Sequence, residues 1–379
     1  MRILLLNDQE EKRGGAEEYF YSLKSLMEDN GHEVHVYFSS KNTKLSVFGS
    51  IFSIKNLVKT FRAIKKVNPD IIHIHKYNLS LSASPAISAK LLGKKFVVTF
   101  HDFGLLCSNG WCVDKNGKAC DNPTWIKWVF SKSLSRKGFF RKAYDYVKNK
   151  VHLKMFQITS DGYFGPSKEM SKYLLDIFDK KKVHHVPYFI PGKWKFMKKR
   201  EISNKLLYVG RLEREKGVDR LIDAMCLLPE KTALDIVGDG KEKNALMEQA
   251  KHIRNKVTFA GSIPRENIEK YYHDSDMLIM PSLWMEQFGI VGIEAMASGT
   301  PVIAAKIGGT GDWLKDCWNG ISLESIRPEE LAKAIRKMQS TKLLSKYGLN
   351  GRRTYEKGFT EKVHYKYILD AYRNVLKND

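Results

Sequence analysis

Short apolar runs rich in β-branched residues alternate along this chain with longer amphipathic stretches, and that alternation admits few folds. Ile3–Leu6 is followed by a helical pattern from Ala16 to Asn30 and then by a strand pattern at Glu33–Phe38, a βαβ opening. Runs at Asp70–His75 and Lys95–Phe100 repeat the strand signal after further helical segments, and Gly162–Pro166 is expected to close the sheet. Each strand-helix-strand crossover returns the next strand in the same direction, so the expected sheet is parallel and doubly wound.

The pattern breaks at Val186-Pro187-Tyr188-Phe189-Ile190-Pro191-Gly192, where two prolines and a glycine interrupt periodicity before a basic run from Lys193 to Arg200. A second series then begins, with strand patterns at Lys205–Val209, Leu234–Val237, Val257–Phe259, Met277–Met280 and Val302–Ala304. After Pro328 the pattern is helical throughout. The expected architecture is α/β, with two doubly wound, parallel-sheet (Rossmann-like) domains facing a cleft. The N-terminal domain takes residues 1–190 and the C-terminal domain 191–379, with a helix at about 360–379 returning to pack on the first. At 379 residues each half is large enough to bury its own core.

Lysine and arginine total 64 against 42 acidic residues, a net charge of +22. Residues 1–190 hold 31 basic and 17 acidic side chains, so the first half carries most of the excess. Such a balance points to a polyanionic partner: nucleic acid, an anionic bilayer or phosphorylated substrates. Five cysteines, an odd number in a long chain, fit a reducing cytoplasm better than a disulfide framework. No run approaches the roughly 20 apolar residues needed to span a bilayer, so membrane contact is expected to be peripheral.

The richest chemistry lies between Pro281 and Pro301. Glu286 sits in a loop after a strand pattern, and Glu294 rides on a helix expected from about Gly289 to Gly299. Between them, backbone N–H groups of Phe288, Gly289, Ile290 and Val291 form an anion site at a helix N-terminus. Gly289 and Gly292 would let a ligand approach closely. A diphosphate there would have a carboxylate on either side, one for sugar hydroxyls and one for ribose hydroxyls; the same spacing also suits two exposed glutamates on an ordinary αβ unit. Arg211 and Lys216 follow the Lys205–Val209 strand, at the carboxyl end where open α/β sheets bind ligands, and together could neutralise a leaving nucleoside diphosphate. A solvated charged loop is the plainer reading of that segment. Gly14 and Gly15 open the first helix as a phosphate or sugar loop would, and His101 ends a strand at the same edge.

Taken together, Gly14-Gly15-Ala16-Glu17, His101, Gly210-Arg211 with Lys216-Gly217, Gly238-Asp239-Gly240 and the Glu286/Glu294 pair resemble the retaining glycosyltransferases of family 4, which have the two-domain GT-B fold. The resemblance covers nearly the whole chain. It implies a nucleotide-sugar donor, with Arg211 and Lys216 on the diphosphate, Glu294 on the ribose, and Glu286 and His101 on the transferred sugar. It further implies that Gly14, Gly15 and Gly238 line the donor site and that the N–H groups from Phe288 to Val291 steady sugar and phosphate. Transfer would retain anomeric configuration, with diphosphate departing and hydroxyl arriving on one face and catalysis resting on charge neutralisation. A covalent route with Glu286 as nucleophile stays open. No cofactor or metal is expected; Asp274-Ser275-Asp276 mimics an Asp-x-Asp metal signature but leads directly into a strand.

A basic, aromatic segment dominates the acceptor side. Trp125, Lys127, Trp128, Lys132, Arg136, Lys137, Phe139, Phe140, Arg141 and Lys142 suit docking on an anionic bilayer, hence a lipid-linked or glycan acceptor and a site on the inner face of the cytoplasmic membrane. Core-facing aromatics with solvated lysines would give the same pattern. No nucleic-acid motif accompanies it, so nucleic acid is not expected as a partner. Cys107, Cys112 and Cys120 lack paired zinc-ligand spacing and read as reduced thiols. A nucleotide-sugar epimerase, a phosphorylase or a catalytically silent glycan-binding subunit would share the scaffold.

Overall fold

The computed structural model describes residues 1–8, 10, 14–39, 47–78, 80–105, 139–198 and 201–377. The chain divides into two compact units, Met1–Tyr188 with Glu361–Asp379, and Phe189–Thr360.

In the first unit the strands are β1 (Arg2–Asn7), β2 (Glu33–Phe38), β3 (Ile71–Ile74), β4 (Lys95–Thr99), β5 (Gly162–Gly165) and β6 (Val183–His185). They form one parallel sheet in the order β2-β1-β3-β4-β5-β6. Ile3, Leu5, Ile72, Val97 and Phe164 are fully buried, as befits strands covered on both faces. Helices α1 (Gly15–Asp29), α2 (Val47–Ile51), α3 (Ile54–Val67), α4 (Ser84–Leu91), α5 (Phe139–Thr159) and α6 (Lys168–Leu175) belong to this unit. Local chemistry sets their ends. The Ser53 hydroxyl accepts the Asn56 N–H at 3.2 Å to start α3, and Asn68 ends it in the left-handed region at φ 47°.

The second unit holds β7 (Lys205–Val209), β8 (Ala233–Val237), β9 (Val257–Gly261), β10 (Met277–Met280), β11 (Val302–Ala305) and β12 (Gly320–Leu323), all parallel, in the order β12-β11-β10-β7-β8-β9. Its helices are α7 (Val218–Met225), α8 (Lys243–Ala250), α9 (Arg265–Asp274), α10 (Ile290–Ser298), α11 (Pro328–Met338) and α12 (Thr341–Gly358). Leu206, Ile222, Leu234, Ile279 and Ile335 meet in its core.

The last described helix, α13 (Glu361–Lys377), belongs to the first unit. Tyr372 bonds His73 Nδ1 at 2.7 Å, and His364 Nε2 meets the Tyr19 hydroxyl at 3.2 Å. A side chain on Gly162 would stand 2.8 Å from Val375 Cγ2, so the sheet and this helix touch almost backbone to side chain.

Two strands depart from expectation. Gly162–Gly165 does not close the first sheet, because β6 pairs beyond it, and β12 extends the second sheet past Val302–Ala305. Both are edge strands of three and four residues. Half-exposed Val183-His184-His185 carries little apolar signal, since an edge strand has one neighbour and needs less burial.

The chain leaves β1 to one side for β2 and returns to the other side for β3; it does the same around β7, with β8 on one side and β10 on the other. The carboxyl ends of β1/β3 and of β7/β10 are therefore the two switch points, where open α/β sheets leave a crevice.

Candidate functional site

At the β7/β10 switch point of the second unit, the loop after β7 brings Lys216 and the loop after β10 brings Glu286. Lys216 Nζ donates to Glu286 Oε1 at 2.6 Å, with the two side chains 15% and 8% exposed. Ser282 Oγ and Trp284 Nε1 donate to the same oxygen at 2.5 and 2.9 Å. The Lys216 ammonium also lies 4.6 Å from the Trp284 ring centroid. Burial is the largest influence on Glu286 and pushes its carboxyl up, but the Lys216 charge and the three hydrogen bonds together hold it below the ordinary glutamate range. It is a buried, ionised carboxylate.

Glycines shape the loops. Gly217, at φ 65°, allows the Lys216 turn to press on Pro281, whose carbonyl would stand 2.2 Å from any added Cβ. Gly309 N–H donates to the Glu286 carbonyl at 2.7 Å, and a Cβ on Gly308 would meet that same oxygen at 2.2 Å. The Gly308-Gly309 turn thus clamps the Glu286 backbone. Sequence reading did not single it out. Gly238, at φ 139°, stacks on the Gly210 carbonyl at a distance that excludes any side chain, 1.8 Å to an added Cβ. Its place is loop against loop, supporting the turn that carries Arg211.

Arg211 projects into solvent, 57% exposed, with Glu215 at 3.9 Å. Gly289 caps α10 at φ 81°, and Gly289, Ile290 and Val291 are only partly buried. The N–H groups of Ile290 and Val291 stand at the open start of the helix, while that of Gly292 donates to the Gly289 carbonyl at 2.9 Å. Phe288 differs: its ring is buried against Phe359, and its carbonyl accepts the Trp313 indole N–H at 2.6 Å. Gly292 does not open a ligand approach as expected, because the Trp313 ring occupies the space, 2.2 Å from an added Cβ. Both amide atoms of Gln287 are buried without a hydrogen-bond partner among the described residues.

Glu294 lies on α10, away from Glu286 in sequence and in its contacts. The buried Tyr272 hydroxyl donates to its Oε2 at 2.8 Å, and Arg265 stands 3.8 Å from Oε1. Tyr272 and Arg265 come from α9 and had no signal in the sequence beyond helical patterning.

In the first unit, His101 follows β4 with both ring nitrogens engaged. Nε2 meets His75 Nδ1 at 3.0 Å and Nδ1 pairs with the Tyr188 hydroxyl. Burial, with His75 and Lys76 nearby, drives its pKa well below the ordinary histidine value, so the ring is neutral. A role on a sugar hydroxyl would require it to exchange one of these partners. Gly14 and Gly15 lie at the start of α1, on the β1 side of the β1/β3 crevice.

One carboxylate of the Asp274-Ser275-Asp276 segment is bound into the fold. Asp276 Oδ1 accepts Ser203 N–H and Oγ–H, each at 2.8 Å, and the segment enters β10 at its amino end, opposite the switch point. Among the described residues, no group of three or more His, Cys, Asp or Glu side chains is placed to hold a metal. Trp125, Lys127, Trp128, Lys132, Arg136 and Lys137, like Cys107, Cys112 and Cys120, lie outside the described residues. Phe139, Phe140, Arg141 and Lys142 begin α5, with Phe140 88% exposed. Among the described residues, no helix is long and apolar enough to cross a membrane.

Two family models match this chain: "Glycosyltransferase Family 4" over residues 13–191 and "Glycosyl transferases group 1" over residues 192–354. Between them they cover residues 13–354. The chain belongs to glycosyltransferase family 4. An uncharacterized glycosyltransferase of Methanocaldococcus jannaschii is 34% identical to it over 158 residues, 40% of each chain. Less than half the length of such curated relatives is matched. Among solved structures, the sucrose-phosphate synthase of Thermosynechococcus elongatus superposes with a TM-score of 0.75 at 19% identity, covering 100% of both chains. HepE of Anabaena, solved in complex with UDP-glucose, gives 0.70 at 18% identity, covering 97% of this family member and 98% of that chain. The fold is that of the GT-B glycosyltransferases.

Proposed function

We propose that this family member is a retaining glycosyltransferase that moves a hexose-type sugar from a nucleoside-diphosphate donor to a lipid-linked or glycan acceptor, without a metal or cofactor. The observation that carries the donor half is the Lys216–Glu286 ion pair at the β7/β10 switch point, beside the N-terminus of α10. The complex of HepE with UDP-glucose supports a nucleotide sugar as the donor class.

In this reading Lys216 and Arg211 take up the charge that develops on the departing diphosphate, helped by the N–H groups of Gly289, Ile290 and Val291. Glu286 orients sugar hydroxyls; three hydrogen bonds on Oε1 lower its nucleophilicity and favour an orienting role over covalent attack. Glu294, set by Tyr272, holds the ribose hydroxyls. The basic, aromatic segment from Trp125 to Lys142 places the acceptor reaction at an anionic membrane surface on the cytoplasmic side.

Incubation with a panel of nucleotide sugars, followed by mass spectrometry for slow donor hydrolysis, tests the proposal without knowledge of the acceptor. One or a few donors should lose free sugar with retained anomeric configuration, and EDTA should leave the rate unchanged. Intact donors across the panel would refute it.

A further inference from the structure

The β1/β3 switch point of the first unit is bridged, like that of the second, by a lysine and a glutamate. Lys76 follows β3 and Glu17 lies in the first turn of α1; Lys76 Nζ pairs with Glu17 Oε1, and the side chains are 33% and 8% exposed. The Lys76 backbone is fixed as well, its N–H donating to Asn7 Oδ1 at 3.1 Å. Glu17 Oε2 differs from Oε1 in being buried with no hydrogen-bond partner among the described residues. Leaving a carboxylate oxygen so placed without a donor is costly, and native structures keep such groups where something else completes them.

Gly14 indicates from which side completion comes. Its φ is 174°, extended backbone that any residue adopts, so glycine is not needed there for conformation. A Cβ built on it would meet Glu17 Oε2 at 3.6 Å and no other atom within 4 Å among the described residues. The missing side chain therefore leaves a methyl-sized space in contact with the unpartnered oxygen. The N-terminal dipole of α1 accounts for an acid at position 17, but not for the orphaned oxygen or the glycine beside it.

We infer that Glu17, oriented by Lys76, is a binding site for a ligand hydroxyl entering beside Gly14, and that the ligand is the sugar acceptor. A carboxylate oxygen accepts only, so it selects an O–H or N–H donor and repels phosphate; Lys76 is neutralised by its partner and does not recruit anions. The class that fits is an uncharged polyhydroxyl compound such as a glycan end. The assignment to the acceptor rests on the glycosyltransferase reading; the hydroxyl site itself does not.

Saturation-transfer NMR on the full chain, with methyl glycosides of glucose, galactose, mannose and N-acetylglucosamine as probes, tests the site. At least one glycoside should bind the wild type. Glu17→Gln, which keeps size and removes the charge, should weaken it tenfold or more, and Gly14→Ala, which fills the space at an allowed φ, should do the same. UDP affinity, measured on the Glu17→Gln protein, should stay within twofold of wild type. Unchanged glycoside binding in both variants, a parallel loss of UDP affinity in Glu17→Gln, or no glycoside binding by the wild type would overturn the inference. If Glu17→Gln does not fold, Gly14→Ala decides alone. Glycoside binding through Glu17 in a protein that turns over no nucleotide sugar would instead sink the glycosyltransferase reading and leave the site standing.

Discussion

Replacing Lys216 with methionine removes the charge that balances a buried carboxylate while keeping most of the side-chain volume. In the wild type, Lys216 and Glu286 meet at 2.6 Å with little exposure of either. Breaking such a pair from one side costs about 3–5 kcal/mol, because the remaining charge stays buried. Ser282 and Trp284 still donate to Oε1, which places the expected loss at about 3 kcal/mol, the lower end of that range. The pH dependence follows from sign. Glu286 is held below its ordinary value in the wild type, so its contribution is complete above the unfolded value of 4.5 and is lost only as pH falls through the folded one. Without Lys216, burial outweighs the two hydrogen bonds that remain and the folded pKa rises above the unfolded one. Protonation then relieves the variant, so its deficit shrinks between pH 7.5 and pH 5. Hydrogen exchange of peptides from residues 189–360, corrected for intrinsic rates, measures the deficit at both pH values. Glu286→Gln in the Lys216→Met background should recover most of it. A deficit under about 1 kcal/mol at pH 7.5, or one that is the same at both pH values, would refute the account of a charge-balanced pair.

Three other outcomes are expected. Gly238→Ala combines a φ of 139° with a Cβ 1.8 Å from the Gly210 carbonyl, and should cost more than about 3 kcal/mol, a fall of roughly 6–12 °C in the melting temperature by calorimetry. Tyr272→Phe takes the 2.8 Å hydrogen bond from the buried Glu294, and should weaken UDP about tenfold by titration calorimetry and lower the melting temperature by a few degrees, since an acceptor left unpaired costs about 1–3 kcal/mol. Burial holds the pKa of His75 at about 3, and of His152 and His364 at about 4, all in the first unit. Folded values below the unfolded 6.5 mean that stability is complete above pH 6.5 and lost as pH falls. One unit lower, each costs about 1.4 kcal/mol, so at pH 5.5 the first unit should exchange amide hydrogens faster than the second.

Interior strands were legible almost to the residue, as at Lys205–Val209 and Met277–Met280, because burial on both faces demands an unbroken apolar run. The edge strands Val183–His185 and Gly320–Leu323 were not, for they are three and four residues long with at most two apolar side chains, whereas the longer edge strand Glu33–Phe38 alternates Val34, Val36 and Phe38. The positions of Lys216 and Glu286 could be read from loops that follow strands. What completes them could not: Ser282 and Trp284 are near in sequence but meaningless without the fold, and Tyr272 and the Gly308-Gly309 turn arrive from other elements. Gly292 shows the opposite failure. A glycine beside a helix start suggests ligand access, yet a tryptophan 21 positions later claims the space.

The return of α13 to the first unit has a consequence for synthesis. Residues 1–188 lack Tyr372, the partner of His73, and His364, the partner of Tyr19, until the segment from 361 onward has left the ribosome. Phe189–Thr360 is continuous and can finish first. The N-terminal half is made early and completed late, so a stalled or clipped chain would present a folded second unit attached to a first whose histidine and tyrosine interior stands open to water, a target for chaperones and proteases.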